Sequence, residues 1–368
     1  MQYFQIPKDL AQLSVTLNLV SFGVFVLLGG HFSDRYGIRN TVLISLLVFL
    51  FGSILCLYSF HYYEFILGRC MQGAGIAAPS ILGYVIVRDD HCRQVQPGKF
   101  AYLNGTYTLA MAISMLVGEY ITTRFGWKEN FLILLLLSGI IFTLCLYVFS
   151  SQAMPFKRNR NLNHFLLPAS RKLWIFILAM GIITTPYWVF IGLSSKIYID
   201  IMKVNIEAYS FYQGAIATSF AIFCFMSGKI IKFWGEENSF RLSLLICFFS
   251  SVSLGFLGIL QIRSPLIYTL TLLCFAGSIA LPLNVLYAET LSIFPEFAGR
   301  VASITRCLRL ILTALVSEVI ISVFKGELAY ISIILFFVCM TFFSMVYVLM
   351  SRRWMVFGYL PQESSSIV

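Results

Sequence analysis

Several charged and amide side chains lie inside long apolar stretches of this chain, where polar groups need a partner or water. Arg69 lies about six residues into an apolar run, and a cation at such a depth costs roughly 2.5 to 3.5 kcal/mol on membrane-insertion scales. Gln72 follows one helical turn later, and Glu318 lies in a separate apolar run. We predict that Arg69 faces a cavity, that Gln72 lines a pocket and that Glu318 is a functional candidate. The alternatives are that Arg69 snorkels towards the interface near Glu64, and that Glu318 forms a local pair or lies near the outer interface.

A second candidate site is the polar segment GHFSDRYGIR, which separates two apolar runs of about 20 residues. Its glycines, Gly30 and Gly37, allow the chain to reverse and helix ends to approach closely. Asp34, Arg35 and Arg39 stand where a charge either meets a helix terminus or faces water. A solvated turn would explain an isolated Asp-Arg pair, but the flanking glycines favour a tight, charged hairpin at a membrane face.

The composition excludes a soluble globular protein and places these residues in a bilayer. Hydrophobic residues make up 59% of the 368, charged residues only 11%, and the mean hydropathy is +0.86. Apolar runs long enough to cross about 30 Å of hydrocarbon predict an all-α, polytopic membrane protein with 11 spans, five before a polar break and six after it. The runs lie near residues 11–30, 41–60, 63–87, 98–120, 130–150, 172–194, 208–229, 241–262, 265–288, 299–324 and 328–351.

The basic residues predict the orientation of these spans. We expect an N-terminal bundle of five spans at 1–150, a cytoplasmic linker at 151–171, a C-terminal bundle of six spans at 172–351 and a cytoplasmic tail at 352–368. With this assignment, 16 of the 26 Lys and Arg residues lie in loops on the linker side and 7 on the other side, as the positive-inside rule requires. The net charge of +10 therefore reports topology, and no nucleic-acid partner is predicted. The nine cysteines and four histidines have no paired or clustered spacing, so we predict no metal and no cofactor.

The two halves of the chain look duplicated. Glycines seven residues apart, with an aromatic residue before the second, occur at 30–37 and again at 228–235, and Gly98 and Gly299 recur with an offset of about 200. We therefore predict two pseudo-symmetric helical bundles. On this alignment the run at 11–30 matches the second span of the second half, so the expected fold is one of twelve helices whose first span is missing.

These motifs resemble the major facilitator superfamily of transporters over the whole chain. The hairpin is similar to the family's loop between the second and third helices, Gly-x-x-x-Asp-Arg-x-Gly-Arg-Arg, with a departure at Ile38. The run LGRCMQGAGIAAPS, which includes Arg69 and Gln72, is similar to the fourth-helix motif of the proton-coupled drug exporters. The pair Arg88 and Asp89, together with the later run FPEFAGRVAS, resembles the bicyclomycin-resistance branch called Bcr/CflA.

The resemblance implies a secondary transporter that exports a small hydrophobic or amphiphilic drug, such as a bicyclomycin-like antibiotic, against inward proton flow by alternating access. The fifth-helix motif departs from the exporters' pattern, because Met115 replaces a proline and Glu119 replaces a glycine. A truncated, coupling-deficient transporter and a metabolite exporter of the same fold are therefore alternatives. A membrane-embedded enzyme would need clustered His, Asp or Ser groups at one interface, and none is found, so no catalytic residue is predicted.

The resemblance also implies a cytoplasmic gate. Asp34 is expected to meet the positive end of the helix that starts near Gly299, and Arg35 is expected to pair with Asp89. Such bonds would hold the cytoplasmic side shut in the outward-open state. The predicted gate residues are Gly30, Asp34, Arg35, Gly37, Arg39, Arg88 and Asp89.

The central cavity is the second site that the resemblance implies. Arg69 would face it and take part in proton transfer or solute coupling, with Glu318 as a conceivable proton carrier. The amphipathic groups that could line it are Asn18, Tyr187, Trp188 and Tyr212, although packing against lipid or protein is an equal alternative for each. The expected partners are a small-molecule substrate, protons and the lipid bilayer, for a monomer in a bacterial inner membrane with a cytoplasmic C-terminus.

Overall fold

The structure is a computed structural model and describes residues 8–90, 95–151, 170–323, 328–352 and 354–355. Within these ranges the chain is helical, which confirms the predicted all-α class. A π-helical segment, Lys196–Ile201, and a short 3-10 turn, Pro295–Phe297, accompany the α-helices. The α-helices are α1 (Lys8–Tyr36), α2 (Ile38–Tyr58), α3 (Tyr62–Asp90), α4 (Gln96–Arg124), α5 (Lys128–Ser151), α6 (Arg171–Ser195), α7 (Ile206–Trp234), α8 (Glu236–Ile259), α9 (Pro265–Ile293), α10 (Ala298–Val323) and α11 (Leu328–Ser351).

Each apolar run predicted from the sequence lies on one of these helices, in the same order. Among the described residues, nine of the helices are long and apolar enough to cross a membrane. The other two are α4 and α10, and α10 contains four charged residues, Arg300, Arg306, Arg309 and Glu318. The chain is thus a multi-span membrane protein, and the number of eleven spans stays a prediction.

The described residues form two compact units, and several helices contribute to both. The first unit contains the described parts of 1–86, 113–168 and 294–307, and the second contains those of 87–112, 169–293 and 308–368. The predicted linker at 151–171 and the tail at 352–368 fall almost entirely outside the described residues. The division into bundles at 1–150 and 172–351 therefore stays a prediction.

In the first unit, small residues bring the helices into close contact. α2 packs against α1 and α5, and α3 lies against both α1 and α2 at glycine positions. A Cβ added to Gly73 would overlap the carbonyl of Asn18 in α1, and one added to Gly75 would overlap the backbone of Phe49 in α2. Gly73 and Gly75 therefore allow the backbone of α3 to contact the backbones of α1 and α2. This close packing positions Arg69, which lies on the same helix.

In the second unit, α9 forms the centre. It packs against α6, α7 and α8, while α11 packs against α6 and α8. Every residue of α9 from Phe275 to Leu291 is buried, because an apolar helix surrounded by other helices is covered on all faces. α9 and its neighbours position the aromatic candidates Tyr187, Trp188 and Tyr212.

Candidate functional site

The carboxylate of Asp34 lies at the N-terminus of α10. Its Oδ1 accepts a hydrogen bond from the Gly299 N–H and its Oδ2 accepts one from the Arg300 N–H, both at 3.2 Å. The Arg300 Nε lies 3.5 Å from Asp34 Oδ2, and the two side chains are only 5% and 11% exposed. A helix N-terminus offers unpaired N–H groups and a positive dipole end, so it suits a carboxylate. Asp34, Gly299 and Arg300 are called the Asp34 latch below; its position agrees with the expectation for Asp34 from the sequence.

Two glycines and two serines surround the Asp34 latch. A Cβ added to Gly30 would overlap the Gly299 carbonyl and the Ser303 hydroxyl, so α1 and α10 meet at backbone distance. The Ser33 hydroxyl donates to the Gly30 carbonyl at 2.9 Å and the Ser303 hydroxyl donates to the Gly299 carbonyl at 2.7 Å. These carbonyls are thus satisfied within their own helices. The first N–H groups of α10 have no partner within the helix, and two of them donate to Asp34.

The hairpin between α1 and α2 turns at Gly37. This residue has φ 89° and ψ 154°, a conformation that a residue with a Cβ rarely adopts. The Gly37 N–H donates to the Ser33 carbonyl at 2.9 Å, and the Thr41 hydroxyl donates to the Gly37 carbonyl at 2.9 Å. The Asn40 amide closes the turn by donating to the Tyr36 carbonyl at 3.3 Å.

The remaining gate candidates are charged and lie close to their own sequence neighbours. Arg35 and Arg39 are exposed, and the Arg35 guanidinium lies 5.4 Å from the centre of the Tyr36 ring. In the second unit, the Arg88 Nη2 lies 3.1 Å from Asp89 Oδ1. The expected pairing of Arg35 with Asp89 stays a prediction.

The turn between α7 and α8 repeats the first hairpin bond for bond, 198 residues later. Gly235 has φ 80° and ψ 159°, and its N–H donates to the Ile231 carbonyl at 2.9 Å. The Ser239 hydroxyl donates to the Gly235 carbonyl at 2.6 Å, and the Asn238 amide donates to the Trp234 carbonyl at 3.1 Å. The local geometry therefore matches the duplication predicted from the glycine spacing.

The second hairpin also has its own close helix crossing, within the second unit. A Cβ added to Gly98 in α4 would lie 2.7 Å from the Gly228 Cα in α7. The same offset of 198 residues relates Gly228 to Gly30 and Lys232 to Asp34. Lys232 is exposed, so this Gly98–Gly228 crossing carries a cation at the position of the carboxylate in the Asp34 latch.

In the first unit, the polar candidates Arg69, Gln72 and Asn18 come together. The Arg69 Nη1 donates to Gln72 Oε1 at 2.8 Å, and Gln72 Nε2 donates to the Ser53 hydroxyl at 3.0 Å. The Asn18 amide donates to the backbone carbonyl of Arg69 at 2.7 Å. The Oε2 atom of Glu64 accepts hydrogen bonds from the N–H groups of Phe60 and His61. Snorkelling of Arg69 towards the interface stays an alternative prediction.

An aromatic cluster that the sequence did not single out lies beside Arg69. The rings of Phe65, Trp127 and Phe131 meet edge to face in all three pairs, with centres 5.5 to 5.9 Å apart. The Arg69 guanidinium lies 6.0 Å from the centre of the Phe131 ring, within the range of a cation–π contact. A half-buried cation and an apolar surface are thus adjacent.

The aromatic candidates belong to the second unit. Tyr187 stacks on Phe220, with ring centres 6.3 Å apart, and meets Trp188 edge to face. Tyr212 packs against the buried ring of Tyr198 at 5.5 Å. Tyr187 and Tyr212 flank the hydrophobic core of this unit, while Trp188 is exposed.

Glu318 is exposed on α10 in the second unit, so it belongs to a different unit from Arg69 and Gln72. The sequence analysis missed two buried polar residues of α9, Asn284 and Glu289, which are 1% and 2% exposed. Asn284 accepts a hydrogen bond from Asn104 in α4 at 2.6 Å. Both residues could have been noticed as polar groups within a run of more than 20 apolar residues.

An open groove of about 610 Å³ runs along α7, a volume in the range of small-molecule sites. Small polar and apolar side chains line most of it. The lining residues are Ser210, Phe211, Gly214, Ala215, Thr218, Ser219, Ile222, Phe223 and Leu273.

Comparison with known proteins agrees with the resemblance seen in the motifs. A sequence profile described as Major Facilitator Superfamily matches residues 1–317. An uncharacterized transporter of Rickettsia felis is 24% identical over 237 residues, which are 63% of this chain and 58% of that protein. A bicyclomycin resistance protein homolog of Haemophilus influenzae is 21% identical over 333 residues, which are 87% of this chain and 83% of that protein.

A solved structure supports the same fold. The crystal structure of the human organic anion transporter MFSD10 (TETRAN) superimposes with a TM-score of 0.72 at 15% identity, over 90% of this chain and 82% of that one. At this identity the likeness concerns the fold alone. Both the fold and the sequence profile are those of membrane transporters, which are not enzymes.

Proposed function

Because this chain belongs to the Major Facilitator Superfamily of transporters, we propose that it exports small hydrophobic or amphiphilic drugs by alternating access. The drugs are of the bicyclomycin type, and protons entering the cell drive their export. The protein works as a monomer in a bacterial inner membrane, with its C-terminus in the cytoplasm. The drug-resistance name of the Haemophilus relative supports this class of solute.

The Asp34 latch is the observation that carries the proposal. One carboxylate joins α1 to a helix start 265 residues away in the sequence, and it does so in a place that is almost closed to solvent. Hydrogen bonds to a charged group contribute about 1.5 to 3 kcal/mol each, and a proton crossing 100 mV releases about 2.3 kcal/mol. The two bonds together contribute about 3 to 6 kcal/mol, so the latch holds α1 and α10 together, and its release needs solute binding in addition to the entry of one proton.

The latch faces the cytoplasm in this proposal, because its hairpin carries Arg35 and Arg39 and follows the positive-inside rule. When the latch is closed, the solute site is accessible from outside the cell. When the latch opens, solute enters the site from the cytoplasm. Arg88 and Asp89, at the end of α3, belong to the same cytoplasmic gate.

Two features supply the solute path and the proton path. The cluster of Arg69, Gln72 and Asn18 in the first unit provides polar contacts for the solute. The groove along α7 in the second unit has the volume of a drug-sized site and is a separate candidate. Glu318 carries the proton, while Arg69 stays charged and contacts the solute.

Export of a fluorescent dye from cells tests the role of the latch. Asp34→Asn keeps the size of the side chain but removes its charge, so we expect dye export to fall about tenfold at an equal amount of protein in the membrane. Asp200→Asn is the matched control, since it makes the same change at an exposed carboxylate outside the predicted gate, and it should leave export within about twofold. Export by Asp34→Asn at the wild-type rate would contradict the proposal.

Proton coupling is tested separately, with the purified protein in liposomes. An imposed pH gradient should drive dye uptake into the vesicles, and a protonophore should abolish it. Dye movement that follows its own gradient and ignores the pH gradient would point to a coupling-deficient transporter.

A further inference from the structure

The charge of Arg69 is not neutralised by any carboxylate that the structure describes. Its side chain contacts Gln72 and Phe131, and both are neutral. The acidic residue one and a half turns earlier, Glu64, is occupied by the N–H groups of Phe60 and His61. The Glu119 side chain lies outside the described residues. A cation at this depth in a membrane needs compensation, and within the described residues the protein supplies only dipoles and a ring.

A chain of neutral hydrogen bonds holds the guanidinium in place. The Ser53 hydroxyl donates to the Phe49 carbonyl at 2.9 Å, so its oxygen is free to accept from Gln72 Nε2 at 3.0 Å. This orients the Gln72 amide so that its Oε1 accepts from Arg69 Nη1 at 2.8 Å. Ser53 and Gln72 are almost fully buried, at 0% and 2% exposure, whereas Arg69 is only half-buried. The anchor therefore uses one of the five N–H donors of the guanidinium and keeps the group in a defined orientation.

The surroundings of this cation suit one kind of ligand. A guanidinium binds carboxylates and related oxyanions through two parallel hydrogen bonds, and these bonds are strong where water is scarce. The ring of Phe131, and beyond it Phe65 and Trp127, provides an apolar surface next to the charge. A ligand with an oxyanion head and an apolar body matches both features at once.

We propose that Arg69 is the head-group site for an amphiphilic organic anion, whose apolar body lies on the cluster of Phe65, Trp127 and Phe131. This inference rests on the proposed transport function and narrows its solute class from amphiphiles in general to those with a carboxylate or similar head. Gln72 and Ser53 act as positioning residues for the guanidinium.

The test compares two probes that differ only in their head group. The full chain is placed in nanodiscs of phosphatidylcholine, a zwitterionic lipid. Dansyl fluorescence then measures the binding of 11-(dansylamino)undecanoic acid and of its primary amide. We expect the acid to bind about tenfold more tightly than the amide, which corresponds to 1.4 kcal/mol. Equal affinity for the two probes, or binding of neither, would overturn the proposal.

Variants identify the cation responsible. Arg69→Gln should equalise the two affinities without weakening the amide, and unchanged amide binding shows that the variant is folded. Arg69→Lys keeps the charge but lacks the planar fork, so it should retain a reduced preference for the acid over the amide. If Arg69→Gln cannot be purified, a preference in Arg69→Lys that equals the wild-type preference overturns the proposal. The matched control is Lys128→Gln, which removes another cation beside the same cluster, 5.7 Å from the Trp127 ring, and it should keep the full preference.

Two further results separate the alternatives. If Glu119→Gln raises the affinity for the acid tenfold, Glu119 is the counterion of Arg69 and the proposal is wrong; we expect no change. Export of uncharged dyes without any preference for the acid would overturn this inference and leave the proposed function intact. A clear preference for the acid in a protein that exports no dye would support this inference and overturn the proposed export function.

Discussion

The hairpin between α1 and α2 and the hairpin between α7 and α8 have one backbone design but different charges. Both turn at a glycine with φ between 80° and 89°, and both close the turn with a hydroxyl and an asparagine in the same register. Both also follow a helix that touches a neighbour at a glycine, Gly30 with Gly299 and Gly228 with Gly98.

The difference lies in a few side chains at equivalent positions. The first hairpin has Asp34, which accepts hydrogen bonds from the start of α10, and the second has Lys232, which is exposed. The residue after the partner glycine is basic in both places, Arg300 after Gly299 and Lys99 after Gly98. The glycines thus provide the close crossing in both regions, while the residue one turn after the crossing glycine is a carboxylate, Asp34, in the first region and a lysine, Lys232, in the second.

Converting the first hairpin to the charge of the second should have the largest effect. Asp34→Lys removes the carboxylate from the buried Arg300 and adds a second positive charge at the N-terminus of α10, so we expect a loss of about 3 kcal/mol in the free energy of unfolding. Thermal unfolding in nanodiscs, together with dye export, measures the loss. Wild-type stability would mean that the Asp34 latch contributes nothing.

A smaller effect is expected from filling the two crossings. Gly30→Ala places a Cβ on the Gly299 carbonyl and on Ser303, so it should destabilise the protein by about 1 to 3 kcal/mol. The equivalent Gly228→Ala places its Cβ 3.6 Å from the Gly98 Cα, an ordinary contact, and should change stability by no more than about 0.5 kcal/mol. If both variants lose stability equally in the same thermal measurement, the two crossings are not packed as described.

The reverse change places a carboxylate in the second hairpin at the position of Lys232. In Lys232→Asp the new side chain stands in the register of Asp34, near the start of α4, and should stabilise the closed crossing by about 0.3 to 1 kcal/mol. We expect slower dye export and slightly higher thermal stability. Lys229→Asp is the control, because Lys229 is also an exposed lysine of α7 but lies one turn away; an identical gain in that variant would indicate a general charge effect.

The smallest effect is expected at the exposed end of the first hairpin. Arg35 contacts the ring of its neighbour Tyr36 and is exposed, so Arg35→Gln should change the free energy of unfolding by less than about 0.5 kcal/mol. A loss as large as that of Asp34→Lys would assign the hairpin's role to its total charge, and not to the position of one carboxylate.

The sequence predicted the helices and their order, because apolar length is a local property. The start of α10 as the partner of Asp34 was implied by the resemblance to the transporter family. The sequence did not predict the burial of Arg300, which stands near a helix start and looks like an ordinary loop cation. The sequence identified Arg69 and Gln72 as candidates, but it did not predict that Gln72 contacts Ser53. Ser53 and Phe131 lie on other helices, and periodicity does not show which faces of two helices meet.

The pairing of Gly98 with Gly228 shows the same limit. The repeat identified both glycines as equivalent to residues of the other half, but nothing in their spacing says that they touch each other. Contacts between distant helices depend on how the helices pack, and a single sequence contains no record of that packing.

The accessibility of position 303 to a thiol reagent reports whether the Asp34 carboxylate holds α1 against α10. Ser303 is 1% exposed beside the Asp34 latch, so Ser303→Cys in a cysteine-free background should react with a membrane-impermeant maleimide, applied to the cytoplasmic face, only when the latch opens. We predict that adding Asp34→Asn increases the rate of modification about tenfold, equivalent to 1.4 kcal/mol, while adding Asp200→Asn, the same change at an exposed carboxylate, leaves it unchanged. Equal rates with Asp34 and with Asn at this position would contradict the claim that the Asp34 carboxylate holds α1 against α10.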